Sequence, residues 1–546
     1  MLSTWDGFGK GRFMQGYLAL VLHAHLPFVR HPEHEKFLEE SWFYEAVIEC
    51  YLPLLLKLRE WERDGVAAPL TLTLSPTLCA MLRDPLLQGR CGRRLEALAE
   101  LAEREVHRTH WDHALQPVAV FYQQRLTELR ALFAEYRGDL VAAFRAFQDA
   151  GRIEIITCAA THGLLPLLAR HPTSIRAQVL VARDDYRRCF GRDPRGIWLP
   201  ECAYVEGLDL FLREAGLRWF VVDTHGVMNA RPRPVYGVFA PIMTPAGVAA
   251  FGREGESARQ VWSRDGGYPG DPRYRDFYRD IGFDLDFEYV RPYLPSPDLR
   301  GFTGMKYHRI TGGGGTKAPY QRELALAAAG EHARHFLAER ARQITTLAAA
   351  FDRPPVLVCP YDAELFGHWW FEGLEFLDAL AREAAAAGAT GASEGSAGAV
   401  RLVRVEEYLA ENPTQQVATP GGSSWGEEGF WKLWLNEKNA WIFPHLDVAQ
   451  ERMTALARGF PSAVGLQRRA LQQAGRELLL AQASDWPFIL RMGTSPEYAR
   501  RRVKEHLLNF LALHEQLTAG RVEEAQLAEL EARDNLFPDL DYRYWA

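Results

Sequence analysis

Short strand-like runs recur along the first two thirds of this chain, several of them ending at a polar residue. They are Tyr17–Leu22, Leu70–Leu74, Ile153–Thr157, Gly196–Leu199, Trp219–Val222 and Val356–Val358. Most are nearly uninterrupted apolar runs; Leu70–Leu74 alternates with period two and stops at Pro76. Helical spacing fills several gaps, as in Glu45–Arg63, where Ala46, Ile48, Tyr51, Leu54, Leu55 and Leu58 recur, and in Ser174–Phe190 and Gly207–Ala215. Strands apolar on both faces must be covered on both, which predicts a parallel sheet with helices outside it. Six or seven such strands over roughly 400 residues fit a closed α/β barrel better than an open sheet.

The expected organisation follows from where this pattern breaks. Residues 1–16 read as a loose polar arm, and residues 17–400 as the barrel. Almost everything from about 79 to 150 is helical, too long for one crossover, and reads as a helical insertion between two barrel strands. A region of about 228–301, centred on Arg231–Gly301, is rich in Pro, Gly, Arg and Tyr with little periodicity, and reads as an irregular active-site loop. Thr311–Lys317 is glycine-rich but lacks the Gly-Lys-Ser/Thr ending of a phosphate loop, so a flexible turn is expected. Ala384–Ala399 reads as an exposed Ala/Gly/Ser connector, and residues 401–546 as a helical C-terminal unit.

Four strand ends carry polar residues. His23 and His25 are two apart, so on an extended strand both face one side. His162 follows the run at Ile153, Glu201 follows Gly196–Leu199, and Asp362 follows Val356–Val358 within Pro360–Trp370. Any one of these could be a buried polar residue satisfied locally. If the strands are parallel neighbours, all four project into one mouth.

Three readings fit. Glu201 and Asp362 could be a glycosidase pair, one carboxylate attacking the anomeric carbon while the other protonates the leaving oxygen; retention needs them only about 5–5.5 Å apart. His-x-His with a carboxylate could instead hold a metal that activates water, as in a deacetylase-like hydrolase. A carbohydrate-binding protein would use the aromatics alone. The chain has 15 Trp and 20 Tyr, many beside Gly, Pro or charged residues, and a few flat rings suffice to stack on sugar faces.

Composition narrows the partners. A net charge of −7 gives no reason to expect nucleic acid or an anionic membrane. No run approaches the roughly 20 apolar residues of a membrane span, and Met1–Gly16 lacks the apolar core of a signal peptide. Seven cysteines, odd in number and never spaced Cys-x-x-Cys, argue for a reducing compartment, so a cytoplasmic location is expected.

Taken together, the motifs carry a resemblance. His23-Ala24-His25-Leu26-Pro27, Ala160-Thr161-His162-Gly163, Trp198-Leu199-Pro200-Glu201, Tyr361–Trp370, and Ser424-Trp425-Gly426 with Trp434-Leu435-Asn436-Glu437 resemble glycoside hydrolase family 57, and within it the 1,4-α-glucan branching enzymes. The match runs in order from about Tyr17 to Trp545. It implies a distorted (β/α)7 barrel with a helical insertion and an all-α C-terminal domain that completes the active-site groove. It implies Glu201 as nucleophile and Asp362 as general acid/base, without metal or cofactor. Sugar-contacting positions fall on His23, His25, His162, Trp198, Trp262, Trp425 and Trp434, and a site-covering loop tyrosine on Tyr236. The substrates implied are α-1,4-glucan donor and acceptor chains such as amylose and glycogen, handled by a monomer or small homo-oligomer. An α-amylase or 4-α-glucanotransferase of the same family would use the same two carboxylates. Burial beside Trp369, Trp370 and the charge of Glu201 is expected to raise the pKa of Asp362. Glu364, alternating away on the same turn, is expected to be structural, and His368 to shape the wall.

Overall fold

The computed structural model describes residues 16–263, 266–311, 317–390 and 400–546. Among them are ten strands: β1 (Gly16–Ala24), β2 (Leu70–Leu74), β3 (Ile153–Cys158), β4 (Gly196–Trp198), β5 (Trp219–Val222), β6 (Ile242–Met243), β7 (Ala249–Gly252), β8 (Val356–Asp362), β9 (Val400–Leu402) and β10 (Gln416–Val417). Their order is β10-β6-β7-β5-β4-β3-β2-β1-β8, with β9 on β1, and every pair is parallel except β6–β7. The ends meet: Arg253, just past β7, bridges Val358 of β8, and the Glu254 N–H donates to the Val358 carbonyl at 2.9 Å. Strands β1, β2, β3, β4, β5, β7 and β8 therefore form a seven-stranded barrel.

Its interior is packed by Ala19, Val21, Ile156, Cys158, Trp198, Trp219, Val221, Phe251, Val356 and Val358. Larger apolar clusters on the outer faces join the strands to the helices. Parallel strands buried on both faces explain the near-continuous apolar runs of the sequence. Between β2 and β3 stand the helices Pro76–Leu82, Pro85–Arg108, Gln116–Glu135 and Leu140–Asp149. Ser75, Asp84 and Asp139 cap the first, second and fourth by accepting from the N–H groups of Leu78, Leu87 and Ala142.

Several expectations are corrected. The region of 228–301 is not uniformly irregular, because β6 and β7 lie within it and β7 closes the barrel. Helix Gly373–Thr390 runs through the first part of the expected Ala384–Ala399 connector; residues 391–399 lie outside the described residues, as do 1–15 of the arm and 312–316 of the glycine-rich turn. Gly16, assigned to the arm, already belongs to β1. Strands β9 and β10 pair with β1 and β6, so the chain past 401 first completes the sheet. The long C-terminal helices begin at Ile442: Ile442–Gly459, Gly465–Ala481, Asp485–Met492, Pro496–Thr518 and Glu524–Arg533. Among the described residues no helix is long and apolar enough to cross a membrane.

Close packing in the barrel gives a first prediction. A Cβ built on Gly196 would lie 2.3 Å from the buried Trp219 ring. Gly196→Ala should cost about 1–3 kcal/mol through forced overpacking, read as a lowered thermal midpoint. An unchanged midpoint would contradict this packing.

Candidate active site

Glu201 and Asp362 both stand at the C-terminal rim of the barrel. Asp362 is the last residue of β8 and lies in register beside His23 of β1. Glu201 sits in a tight turn after β4, with φ of 61° for Glu201 and 51° for Cys202. Left-handed backbone at non-glycine residues costs about 1–3 kcal/mol each and concentrates at functional sites; His162, with φ of 58°, is a third case on this rim. Trp425 clamps Glu201 twice: its indole N–H donates to Glu201 Oε2 at 2.6 Å, and its backbone N–H to the Glu201 carbonyl at 3.0 Å.

Both carboxyls are pushed up. For Glu201 burial dominates and the Trp425 hydrogen bond opposes it, while the charges of Asp362 and Asp485 raise it further, to about 8. Burial also raises Asp362, but His25 and Arg253 restrain it to about 6. Asp362 is raised, as expected, by burial but not by the charge of Glu201, and Glu201 is raised further than Asp362. The reason is that His25 and Arg253 face Asp362, whereas Glu201 faces the carboxyls of Asp362 and Asp485.

A stack of imidazoles lies behind them. The His25 and His162 rings are 3.9 Å apart at 10°, and His23 stacks on Trp198 at 4.4 Å and 5°. Their nitrogens are largely committed. His25 Nδ1 meets Ser75 Oγ at 2.9 Å and its Nε2 meets Asp485 at 3.1 Å, while His162 Nδ1 meets Ser484 Oγ at 2.7 Å and its Nε2 meets His23 Nε2 at 3.0 Å. Burial holds His23 and His162 well below the usual histidine range, so both are neutral. His25, His162 and Asp485 offer atoms within 4.8 Å of one another. However, parallel stacked rings direct their in-plane lone pairs side by side rather than to a common point, and most of these nitrogens are already paired. The donor set does not fit a metal ion.

The positions expected to touch sugar separate into two groups. Trp262, with 47% of its surface exposed, lines the cleft beside Asp362, and His25 and Trp425 are partly exposed. His23, His162, Trp198 and Trp434 do not; each is at most 3% exposed. They are props rather than platforms. Trp198 backs His23 and meets Trp425 in a T-shaped contact at 5.1 Å, and Trp434 fills a pocket with Leu164 and Ala203 over Gly426, where a Cβ would lie 2.4 Å from its ring. Tyr236 is also corrected. Its hydroxyl donates to Asp352 and its ring lies under Arg353, immediately before β8 begins, whereas Asp362 is at that strand's other end. It sits at the opposite mouth of the barrel and does not cover the site.

Several contributors carried no local signal. Ser484 and Asp485 come from the C-terminal helices, and the Ser484 N–H donates to the His162 carbonyl at 3.0 Å. A π-helical turn at Val47–Tyr51 aims Glu49 and Tyr51 at the Asp362 motif. The Tyr51 hydroxyl donates to Glu364, which also accepts the His25 N–H at 3.2 Å, so Glu364 is structural as expected. His368 pairs with Glu49 at 2.7 Å; although burial opposes ionisation of Glu49, His368, Lys306 and Arg275 hold its carboxyl down at about 2. A cleft of about 450 Å³ opens beside Asp362. A larger cavity of about 700 Å³, near Gly65, Gly151 and Arg404 at the opposite mouth, contains none of these residues.

Comparison with known proteins agrees with the geometry. A family model described as glycosyl hydrolase family 57 matches residues 19–420, and one described as 1,4-alpha-glucan branching enzyme, C-terminal, matches residues 445–545. The chain is 33% identical over 558 residues to a 1,4-alpha-glucan branching enzyme of Thermococcus kodakarensis, covering 96% of this chain and 78% of that one. It is 29% identical to a probable 1,4-alpha-glucan branching enzyme of Mycobacterium tuberculosis, covering 97% and 98%. Among solved structures, the alpha-amylase AmyC of Thermotoga maritima superposes with a TM-score of 0.90 at 42% identity, covering 98% of this chain and 99% of that one. A branching enzyme of Thermococcus kodakaraensis superposes at 0.86 and 32% identity, covering 98% and 97%.

The raised carboxyl of Glu201 has a stability consequence. Below about pH 4.5 the group is protonated both folded and unfolded and contributes no difference. Between its ordinary value of 4.5 and about 8, only the unfolded chain ionises, so the folded state loses about 1.4 kcal/mol per pH unit. Glu201→Gln does not titrate there. Its thermal midpoint relative to the unmodified protein should therefore climb from about pH 5 to about pH 8 and then level off. A difference independent of pH would contradict the burial argument.

Proposed function

The chain belongs to glycoside hydrolase family 57, and from that premise we propose that it works as a 1,4-α-glucan branching enzyme by retaining double displacement, with Glu201 as nucleophile and Asp362 as general acid/base. The observation that carries this reading is the pair itself: two half-buried carboxyls with raised pKa at the ends of parallel barrel strands, beside an aromatic cleft. Glu201 attacks the anomeric carbon of an α-1,4-linked donor while Asp362 gives its proton to the departing glycosidic oxygen. That oxygen can accept a hydrogen bond only from protonated Asp362, so a bound donor favours a proton there. The donor's reducing-side piece leaves with a free 4-hydroxyl, and the transferred segment is held as an ester on Glu201. The acceptor's 6-hydroxyl then gives its proton to Asp362 as its oxygen attacks the anomeric carbon, freeing Glu201 and forming an α-1,6 branch.

An α-amylase shares the first half and lets water resolve the ester. Support for branching comes from the match of the C-terminal model over residues 445–545 and from the branching-enzyme relatives. The same C-terminal region reaches the site through Ser484, Asp485 and Phe488. Water at tens of molar must be kept from the ester, which a second wall of helices favours. Amylose and glycogen are the donor and acceptor chains this reading implies, which places the activity in glycogen biosynthesis. All seven cysteines are free and buried, which supports a reducing, cytoplasmic setting.

Incubation with amylose followed by proton NMR tests the reading. New α-1,6 signals should outnumber new reducing ends, and reducing ends without α-1,6 linkages would replace branching by hydrolysis. Glu201→Gln should lower turnover by at least about a thousandfold while the fold persists, as removal of a covalent nucleophile does; retained turnover would remove Glu201 from that role.

A further inference from the structure

The two carboxyls do not open onto the same part of the groove. The cleft beside Asp362 is lined by Trp262, Phe277, Tyr278, Trp369, Trp370 and Phe488, whereas Glu201, Trp425 and the histidine stack are absent from its lining. We propose that this aromatic ledge seats the acceptor glucan, while the segment being transferred lies on the Glu201–Trp425 side. The inference rests on the branching reading above and divides its groove between the two chains.

The chemistry dictates the division. In a retaining displacement, the acid/base group stands where the leaving oxygen departs and where the accepting oxygen enters. Surfaces continuous with Asp362 therefore meet the departing and incoming chains, and surfaces continuous with the nucleophile meet the segment that stays. On the Asp362 side the rings form a row. Trp369 lies against Phe277 at 4.6 Å and 25°, Phe277 against Phe302 at 5.6 Å, and Phe302 against Phe283 at 5.2 Å. Such a row carries aromatic surface beyond a single ring, as an incoming chain requires. Trp369 and Tyr278 are 55% and 60% exposed, and Phe283 is 45% exposed. Flat apolar faces left to solvent suit the C–H faces of glucose.

The ledge is also fixed in place. Buried Lys306 sets its ammonium 4.1 Å from the Phe277 ring centre and 4.6 Å from that of Phe302. Asp276 accepts the Tyr278 N–H at 2.8 Å and pairs with Lys317 at 2.7 Å, while the Arg275 N–H donates to Glu372 at 3.2 Å. A rigid platform lowers the ordering cost of binding a flexible glucan. Phe488, from the helix that also carries Asp485, brings the C-terminal helices into contact with both halves of the groove.

The test uses α-maltosyl fluoride as donor, because fluoride departs without needing a glucan on the acceptor side, and malto-oligosaccharides as acceptors. Trp369→Ala and Tyr278→Ala truncate rings that are more than half exposed. In each, the acceptor concentration giving half-maximal transfer should rise about tenfold, and the transfer-to-hydrolysis ratio at fixed acceptor should fall. Trp369→Phe should recover most of the loss. An unchanged acceptor dependence accompanied by a raised KM for maltosyl fluoride would overturn the proposal and put the donor on this ledge. Absence of any α-1,6 product from the unmodified protein would instead defeat the branching reading on which the division rests.

Discussion

Two half-buried carboxyl groups at the barrel rim, Glu201 and Asp362, set the terms for the rest of the structure. A buried carboxylate is unfavourable, and two are worse, because each charge opposes the other. The protein does not relieve this by pairing each with an arginine, which would hold both ionised and end the proton traffic. It balances them unevenly: an indole N–H supports Glu201, and His25 with Arg253 restrains Asp362. The pair thus lies near neutrality, where one proton can be given and recovered in each cycle. The strained turn at Glu201 adds to the instability, and the fold offsets it through dense packing inside the barrel.

The C-terminal helices belong to this arrangement. Ser484 and Asp485 occupy nitrogens of His162 and His25, whose rings lie flat on each other, so helix docking and imidazole orientation are one event. From the other side, the π-helical turn at Val47–Tyr51 holds the motif after Asp362 through Glu49–His368 and Tyr51–Glu364. The site is a seam between the barrel, the helix that joins β1 to β2 and the C-terminal helices, which explains why so much of its support lies far from the catalytic pair in sequence.

Much of this was legible in the sequence, and the misses have physical causes. Strands buried on both faces show as apolar runs, so β1, β3, β4, β5 and β8 were visible, and the residues at or just past their ends, His25, Glu201 and Asp362, follow once the strands are parallel. Strand β7 was not visible: Ala249-Ala250-Phe251-Gly252 is short, small and set among turn residues, yet it closes the barrel. A motif tryptophan reads alike whether it faces a sugar or backs a histidine, so the burial of Trp198 and Trp434 needed the structure. The short match at Tyr236 could not say which mouth of the barrel it occupies. Asp485, 460 positions from His25, had no local pattern to betray it.

The central claim is that Glu201 carries the sugar between the two half-reactions. A 5-fluoro maltosyl fluoride should form the ester rapidly and slow its turnover, so digestion and peptide mass mapping can locate the added mass. The account predicts the label on the peptide containing Glu201, with little label in Glu201→Gln. A label on Asp485, or inversion at the anomeric carbon with no covalent species, would contradict it.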